Sequence, residues 1–315
     1  MGKQKIIIDT DAGHDDALAM LLLICSNQFD ILTITTVAGN ATIEKVTRNA
    51  QAVLDLVGSK ISIHSGADKP LRRKLVTAEV HGDSGIDGLD VSNTIYTLSK
   101  DAVSIMKHYL NLYPGEVSIL TIGPLTNVAQ LLKSNPGIEN NIKELVIMGG
   151  AIESPGNKNR VAEFNFFVDP EAADIVIRSD CPKVLVPLDP CNVIKIQLDL
   201  FDSLKGKALY ANLHKMMRHF IAGISKHEKV KAALVYDALA AFYFLDQKAF
   251  KTVKMDIVIE TKGEHTFGMS VADRRKYSER HPNITVVTSI HRERFEWALL
   301  SALKNTADLY PEIRC

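Results

Sequence analysis

The chain has 315 residues with 37 Lys and Arg against 37 Asp and Glu, and this zero net charge excludes the basic field that attracts nucleic acids or acidic membrane surfaces. A small molecule is therefore the expected partner. Because no apolar stretch reaches the ~20 residues of a membrane span and no targeting signal is recognised, we expect a cytoplasmic protein that does not enter a membrane.

The cysteine pattern excludes two further classes of architecture. Cys25, Cys181, Cys191 and Cys315 are far apart and show no CxxC spacing, which argues against a zinc site and against a disulfide framework. A reducing compartment fits this pattern.

The first predicted element is a short hydrophobic strand, residues 5–8, that ends in a cluster of carboxylates. Asp9, Asp11, Asp15 and Asp16 follow it directly, and the apolar run after them is long enough for a buried helix. Four acids this close repel one another, and burying them without a partner is costly. A hard divalent cation would neutralise them, so this turn is a predicted metal site at the carboxyl edge of a parallel sheet.

Short β-branched runs then alternate with helix-length segments. This rhythm predicts one α/β domain over residues 1–315, with an open, mainly parallel sheet flanked by helices. Asp169 and Pro170 mark a helix start. A helical pattern at 200–244 is interrupted by the charged tract 226–231, the candidate for a mobile lid. The later predicted strands are 31–37, 61–64, 117–122, 145–148, 184–188, 255–260 and 284–288.

Polar segments follow several of these strands, at the edge where the acids lie. The motifs along the chain are DTDAGHDDALA (9–19), TVAGN (36–40), KVTRNA (45–50), HGDSG (81–85), GPLTN (123–127), VIMGGA (146–151), AEFN (162–165), DPEAA (169–173) and VADRR (271–275). Together these motifs resemble those of the inosine-uridine nucleoside hydrolase family over nearly the whole chain. The resemblance implies Ca²⁺-dependent hydrolysis of the N-glycosidic bond of ribonucleosides to ribose and a free purine or pyrimidine base, by a homodimer or homotetramer.

The resemblance also implies roles for single residues. The metal ligands are expected to be Asp11, Asp16, Asp237 and the main-chain carbonyl of Ile122, and a Ca²⁺-bound water would attack the anomeric carbon with Asp11 as general base. The expected substrate-binding residues are Asp15, Asn40, Met148, Asn157, Glu163, Asn165 and Phe220.

The motifs leave open which group protonates the leaving base, because Tyr236 stands where well-studied members have a histidine. A phenol is a weaker acid than an imidazole at neutral pH. His81 and, on the lid, His227 are the other candidates for this catalytic role. The segment DPCN (189–192) departs from the more usual Asp-Val-Thr, which leaves the local pocket shape open.

Other interpretations of these residues remain open. A haloacid-dehalogenase-like phosphatase would use Asp9 as nucleophile with Mg²⁺, although its later motifs do not occur in the right order. A catalytically weak nucleoside-binding protein would keep every binding group. Within the site, Glu163 and Asn165 would by themselves be assigned to loop amides, and His14 is expected to be a packing or surface residue rather than a metal ligand.

Overall fold

The first strand, β1 (Gln4–Thr10), lies inside an eight-stranded sheet with a hydrophobic core on each face. Ile6 and Ile8 join one core and Ile7 joins the other, because successive side chains of a strand point to opposite faces. The computed structural model describes residues 2–275 and 281–305; Cys315 lies outside these residues. No helix of the described part is long and apolar enough to cross a membrane.

The main sheet is almost entirely parallel. Its order is β3-β2-β1-β4-β5-β6-β10-β7, in which only β7 runs antiparallel to its neighbour, and β8 and β9 form a separate antiparallel pair. This architecture confirms the predicted α/β fold with an open, mainly parallel sheet. The strands after β1 are β2 (Phe29–Thr36), β3 (Ile63–Ser65), β4 (Val117–Thr121), β5 (Ile142–Met148), β6 (Lys183–Val186), β7 (Phe250–Met255), β8 (Ile257–Ile259), β9 (Ser270–Ala272) and β10 (Ile284–Ile290).

Helices cover both faces of the sheet. The helix predicted after Asp169 begins at Pro170, and the Asp169 carboxylate accepts a hydrogen bond from the Ala172 N–H at 3.0 Å, as expected of an N-cap. The helices are α1 (His14–Ser26), α2 (Ile43–Leu56), α3 (Ala102–Leu112), α4 (Thr126–Ser134), α5 (Phe164–Val168), α6 (Pro170–Arg178), α7 (Leu188–Cys191), α8 (Tyr210–His227), α9 (Tyr236–Leu245) and α10 (Arg292–Lys304).

Two sequence-based assignments differ from the structure. The single strand predicted at 255–260 is wrong, because the chain leaves the main sheet after β7 and pairs again only in β8. Asn283 accounts for the break: its side chain accepts from the Ile257 N–H at 3.0 Å and donates to the Ile257 carbonyl at 2.8 Å. The helical pattern at 200–244 contains a 3₁₀ helix, Leu198–Leu204, followed by α8 and α9, with the charged tract at the break between α8 and α9.

Candidate active site

The turn from β1 into α1 positions two buried carboxylates by hydrogen bonds to the neighbouring turn after β2. Asp11 accepts from the Asn40 N–H at 2.7 Å, and Asp16 accepts from the Asn40 side-chain amide at 3.1 Å and from the Gly13 N–H at 2.8 Å. Gly39 is required here, since a Cβ at that position would lie 2.2 Å from a carboxylate oxygen of Asp11. Gly39 and Asn40 therefore hold the acid cluster in place.

Three carboxylates converge closely enough to share one cation. Oxygen atoms of Asp15, Asp16 and Asp237 lie within 4.8 Å of one another, and all three residues are buried. Burial, followed by the charge of Asp16, raises the pKa of Asp15, while burial and the charges of Asp15, Asp16 and Asp11 raise the pKa of Asp237. This donor set of hard oxygen ligands fits a divalent metal ion such as Ca²⁺.

Asp11 is a further member of this carboxylate cluster, because it is buried and close enough to Asp16 for the two charges to interact. Burial and the charge of Asp16 raise its pKa well above the usual value. Its second oxygen, Oδ1, is buried and has no hydrogen-bond partner among the described residues, which is the state expected of an atom that faces a cation or a water. The closest grouping nevertheless contains Asp15, to which the motifs assign ribose binding, so Asp15 has a metal-facing position as well.

A pocket of about 280 Å³ opens above the carboxylates. All of the sequence-predicted site residues line it except Asp11 and Asp16, which are fully buried and hydrogen-bonded to Asn40. The fold thus brings together residues from distant parts of the chain. The predicted residues that line the pocket are Asp15, Asn40, His81, Ile122, Met148, Asn157, Glu163, Asn165, Phe220, His227, Tyr236 and Asp237.

Glu163 and Asn165 line the pocket and also form hydrogen bonds to main-chain groups of nearby loops. The alternative assignment of these two residues to loop amides is therefore partly right. The Glu163 carboxylate caps α5 by accepting from the Asn165 and Phe166 N–H groups, and it also accepts from the Gly150 N–H at 3.0 Å. Burial raises its pKa to about 7. The Asn165 side-chain amide donates to the Ile122 carbonyl at 3.2 Å and so orients the predicted backbone ligand.

His81, His14 and Phe220 form a stack of three rings on one side of the pocket. The His14 and Phe220 ring centroids are 4.9 Å apart and those of His81 and Phe220 are 5.4 Å apart. His14 is buried, its Nε2 lies 2.8 Å from the Asp87 carbonyl, and its role in packing agrees with expectation. Burial lowers the pKa of His14 to about 4 and that of His81 well below its usual value, so both imidazoles are neutral at pH 7.

The two departures from the family motifs, Tyr236 and the DPCN segment, are in direct contact. The Tyr236 hydroxyl donates a hydrogen bond to the Asn192 side-chain oxygen at 2.9 Å. Burial, followed by the charge of Glu228, raises the pKa of Tyr236 well above its usual value. A neutral phenol whose proton is already donated to Asn192 is poorly suited to protonate a leaving base.

The charged tract 226–231 reaches the pocket through His227 and Glu228. His227 lies 3.6 Å from the Glu79 carboxylate, so the end of α8 meets the loop that precedes His81. Gly223 allows this approach, because a Cβ there would lie 2.1 Å from the Val80 carbonyl oxygen. Glu228 is exposed, and partial desolvation of its carboxylate raises its pKa.

Several pocket residues were missed by sequence reasoning. Ile224 could have been found, since it continues the helical spacing of four from Phe220 along α8. Glu228, which follows α8, belongs to the charged tract predicted as a lid but was not assigned to the site. Residues 78–80 belong to an irregular segment with no such signal. The residues missed are Ala78, Glu79, Val80, Lys158, Phe164, Ile224, Glu228 and Leu234.

Comparison with known proteins identifies the family. The sequence profile of the family described as inosine-uridine preferring nucleoside hydrolase matches residues 6–296. Pyrimidine-specific ribonucleoside hydrolase RihA from Shigella boydii serotype 4 is 37% identical over 307 residues, which cover 95% of this chain and 98% of the relative.

Solved structures agree with the sequence comparison. A plant nucleoside hydrolase, the PpNRh1 enzyme, superposes with a TM-score of 0.89 at 25% identity and covers 96% of this chain and 99% of its own. The purine-preferring ribonucleoside hydrolase from Gardnerella vaginalis has a TM-score of 0.89 at 26% identity, with coverage of 97% and 100%. The chain is therefore an enzyme that cleaves nucleosides by hydrolysis, and it belongs to the inosine-uridine preferring nucleoside hydrolase family.

Proposed function

We propose that the protein hydrolyses the N-glycosidic bond of ribonucleosides, with pyrimidine ribonucleosides as its first substrates. The observation that carries the proposal is the position of Asp15, Asp16 and Asp237, which converge within 4.8 Å beside a pocket lined by amide and imidazole groups. The relative named pyrimidine-specific supports the base class through its 37% identity.

The proposed metal is Ca²⁺, held by Asp11, Asp16, Asp237 and the Ile122 carbonyl, with Asp15 beside it. When bound, such an ion acts as a Lewis acid and lowers the pKa of a coordinated water. The chain itself prepares the ligands: Asn40 holds Asp11 and Asp16, and Asn165 holds the Ile122 carbonyl. The ion's identity, an assembly of two or four copies and a cytoplasmic location are proposals that rest on the resemblance.

Asp11 is the proposed general base. Its Oδ2 is held by the Asn40 N–H, while Oδ1 has no partner among the described residues and is available to take a proton from the attacking water. Asp15, Asn40, Asn157, Glu163 and Asn165 are proposed to bind the sugar hydroxyls. Buried acceptors of this kind would be left unpaired by a deoxyribose.

The leaving base is proposed to lie against His81 and Phe220, whose stacked rings form one wall of the pocket. His81 and His227 are the candidates for its protonation; because burial lowers the pKa of His81 and leaves its imidazole neutral at pH 7, His81 would have to take up a proton before it could act as the acid. Tyr236 is proposed to contact the base by its ring and hydroxyl oxygen rather than to protonate it, because its hydroxyl donates to Asn192.

Incubation of the protein with a panel of ribonucleosides tests the proposal. Reducing sugar and free base should appear together in Ca²⁺ and disappear when a chelator is added. Tight nucleoside binding without release of base would instead identify a binding protein, and release of phosphate from nitrophenyl phosphate would identify a phosphatase. Either result would replace the hydrolase assignment for this chain.

A further inference from the structure

We propose that Thr10 is a positioning residue for the metal site, and that its hydroxyl holds the Asp16 carboxylate in the orientation that binds Ca²⁺. The affinity of the protein for the ion should then depend on this hydroxyl, although Thr10 is neither a proposed ligand nor part of the pocket lining. This inference rests on the proposed function, because it concerns one of the ligands proposed there.

The Thr10 hydroxyl makes two hydrogen bonds, and together they fix the direction of its proton. Its oxygen accepts from the Ala12 N–H at 3.0 Å, and its proton is donated to Oδ1 of Asp16 at 2.5 Å. An ionised carboxylate can only accept, so these roles cannot be exchanged. The donated bond has the length of a charge-assisted O–H···O⁻ contact. Thr10 and Asp16 are both fully buried, so water does not compete for either group.

Thr10 holds the oxygen of Asp16 that is left for a cation. Oδ2 accepts two hydrogen bonds, from the Gly13 N–H at 2.8 Å and from the Asn40 side-chain amide at 3.1 Å, whereas Oδ1 accepts from the Thr10 hydroxyl. A carboxylate has about four lone-pair positions, shared equally by its two oxygens. The position that these hydrogen bonds leave open is on Oδ1. The Thr10 bond therefore acts on the atom that faces the metal.

The hydroxyl connects this ligand to the main sheet. Thr10 is the last residue of β1, where it pairs with Thr36 of β2, and its carbonyl accepts from the Val37 N–H at 3.0 Å. Asp16 lies in the first turn of α1, beyond a turn in which Ala12 has a φ of +35°. This left-handed conformation is unfavourable for alanine. Because the Thr10 hydroxyl bonds both the Ala12 N–H and Asp16, one side chain ties the strained turn and the ligand to the sheet.

Packing alone would not require a hydroxyl at this position. Valine is β-branched like threonine and is favoured in strands, so a residue that only filled space at the end of β1 could be valine. Two substitutions separate the roles of the side chain. Thr10→Val removes the donor and keeps the branched shape, whereas Thr10→Ser keeps the donor and removes the methyl group.

The test measures the dissociation constant for Ca²⁺ by competition with a calcium-binding dye, using the full chain after removal of metal. We expect Thr10→Val to bind Ca²⁺ about 10- to 100-fold more weakly than the wild type, the usual effect of losing a group that orients a metal ligand. Thr10→Ser should keep an affinity close to that of the wild type. The matched control is Thr33→Val, because Thr33 is also fully buried in a strand but donates its hydroxyl to the Ser62 carbonyl at 3.0 Å. This control should keep the wild-type affinity.

Activity gives a second readout, because Thr10 does not line the pocket. Release of base by Thr10→Val should be lost at the Ca²⁺ concentration that just saturates the wild type and should recover as Ca²⁺ is raised, with little change in KM for uridine. A variant with a generally disturbed structure would not recover in this way. If Thr10→Val does not fold, Thr10→Cys takes its place, since a thiol is a weak donor, and it should bind Ca²⁺ more weakly than Thr10→Ser.

Wild-type Ca²⁺ affinity in Thr10→Val, or in Thr10→Cys where that variant is used, would overturn the proposal. Equal losses of affinity in Thr10→Val and Thr10→Ser would also overturn it, since the methyl group would then be the cause. Both results leave the proposed function intact. A wild type that binds Ca²⁺ but releases no base would overturn the proposed function alone, because the affinities can still be compared. A wild type that binds no Ca²⁺ would overturn the proposed metal site and this inference together.

Discussion

The Nδ1 atoms of His14 and His81 lie 3.0 Å apart, and their rings stack with an interplanar angle of 19°. Two nitrogens at this distance share one proton, so the protonation of each ring depends on the other. His81 lines the pocket, whereas His14 is fully buried and is held by the Asp87 carbonyl. His14 is thus a positioning residue for the only imidazole that the HGDSG motif supplies.

His81→Ala should reduce kcat on poorly leaving bases by about 10²-fold, because it removes a candidate acid and its stacking surface. Nitrophenyl riboside needs no protonation and should be cleaved almost normally. His14→Phe retains the ring stack but not the hydrogen bond, and its effect should not add to that of His81→Ala. Rates on uridine and on nitrophenyl riboside for both single variants and the double variant check this, with bound Ca²⁺ measured in each. Additive losses of activity in the double variant would show that His14 and His81 act independently.

Much of this arrangement could be predicted from the sequence because its signals are local. The run of apolar residues before Asp9 predicts a buried strand, and four acids within eight residues predict a charged turn. Neither prediction depends on the rest of the chain. In a parallel sheet, the turns that follow the strands all lie at the carboxyl edge. Most of the predicted site residues therefore line one pocket.

The parts that could not be predicted depend on long-range contacts. Residues 78–80 are held beside the pocket by a contact remote in sequence, since the Ala78 N–H donates to the Asn40 carbonyl at 3.2 Å; upstream, Leu71 donates its N–H to Asp169 at 2.8 Å, and Arg73 forms an ion pair with Glu171 at 2.9 Å. No periodicity encodes such anchors. The pairing of Tyr236 with Asn192 joins two departures 44 residues apart in the chain, and the sequence alone shows them only as separate anomalies.

Removal of one metal ligand should remove the ion and the activity together. Asp16→Ala takes a carboxylate from the closest grouping, so bound Ca²⁺ should be lost and kcat/KM should fall by about 10²-fold or more. Elemental analysis of the purified variant and the ribonucleoside assay measure the two effects. Asp55→Ala, at an exposed position of α2, is the control and should retain both. Undiminished Ca²⁺ in Asp16→Ala would contradict the ligand assignment.

Stabilisation by Ca²⁺ should increase with pH. Burial raises the pKa of Asp9 and of Glu163 to about 7 in the folded metal-free chain, and it raises those of Asp11, Asp15 and Asp237 as well. Carboxyls with raised folded pKa values stabilise the fold fully below their unfolded pKa of ~4, and this contribution is lost as pH rises through the folded values.

A cation reverses this loss by favouring the ionised carboxylates, so the difference in Tm with and without Ca²⁺ should be larger at about pH 8 than at about pH 5. The depressed pKa of His14, about 4, acts in the opposite direction below neutral pH, but it affects both samples and cancels in the difference. Calorimetric scans with saturating Ca²⁺ and with chelator give the values. A shift that is independent of pH would show that Asp11, Asp15 and Asp237 do not bind the ion.

Asp11→Asn should separate basicity from binding. Asparagine keeps an oxygen at the position held by Asn40 and loses the capacity to take a proton, so kcat should fall by about 10³-fold with a much smaller change in substrate affinity. Single-turnover rates and nucleoside titrations of the variant measure the two quantities. Near-normal turnover would assign activation of the water to another group.

Loss of the 2′-hydroxyl should be far more damaging than a change of base. The residues proposed to bind the sugar, Asp15, Asn40, Glu163 and Asn165, are each buried to more than nine-tenths, so an absent hydroxyl would leave polar atoms unpaired without access to bulk water. Sites built to bind a hydroxyl reject the analogue that lacks it by about 10⁴-fold. The measurement is kcat/KM for uridine against 2′-deoxyuridine, with uridine against cytidine as the comparison for the base. Similar values for uridine and 2′-deoxyuridine would place the ribose hydroxyls away from this carboxylate and amide cluster.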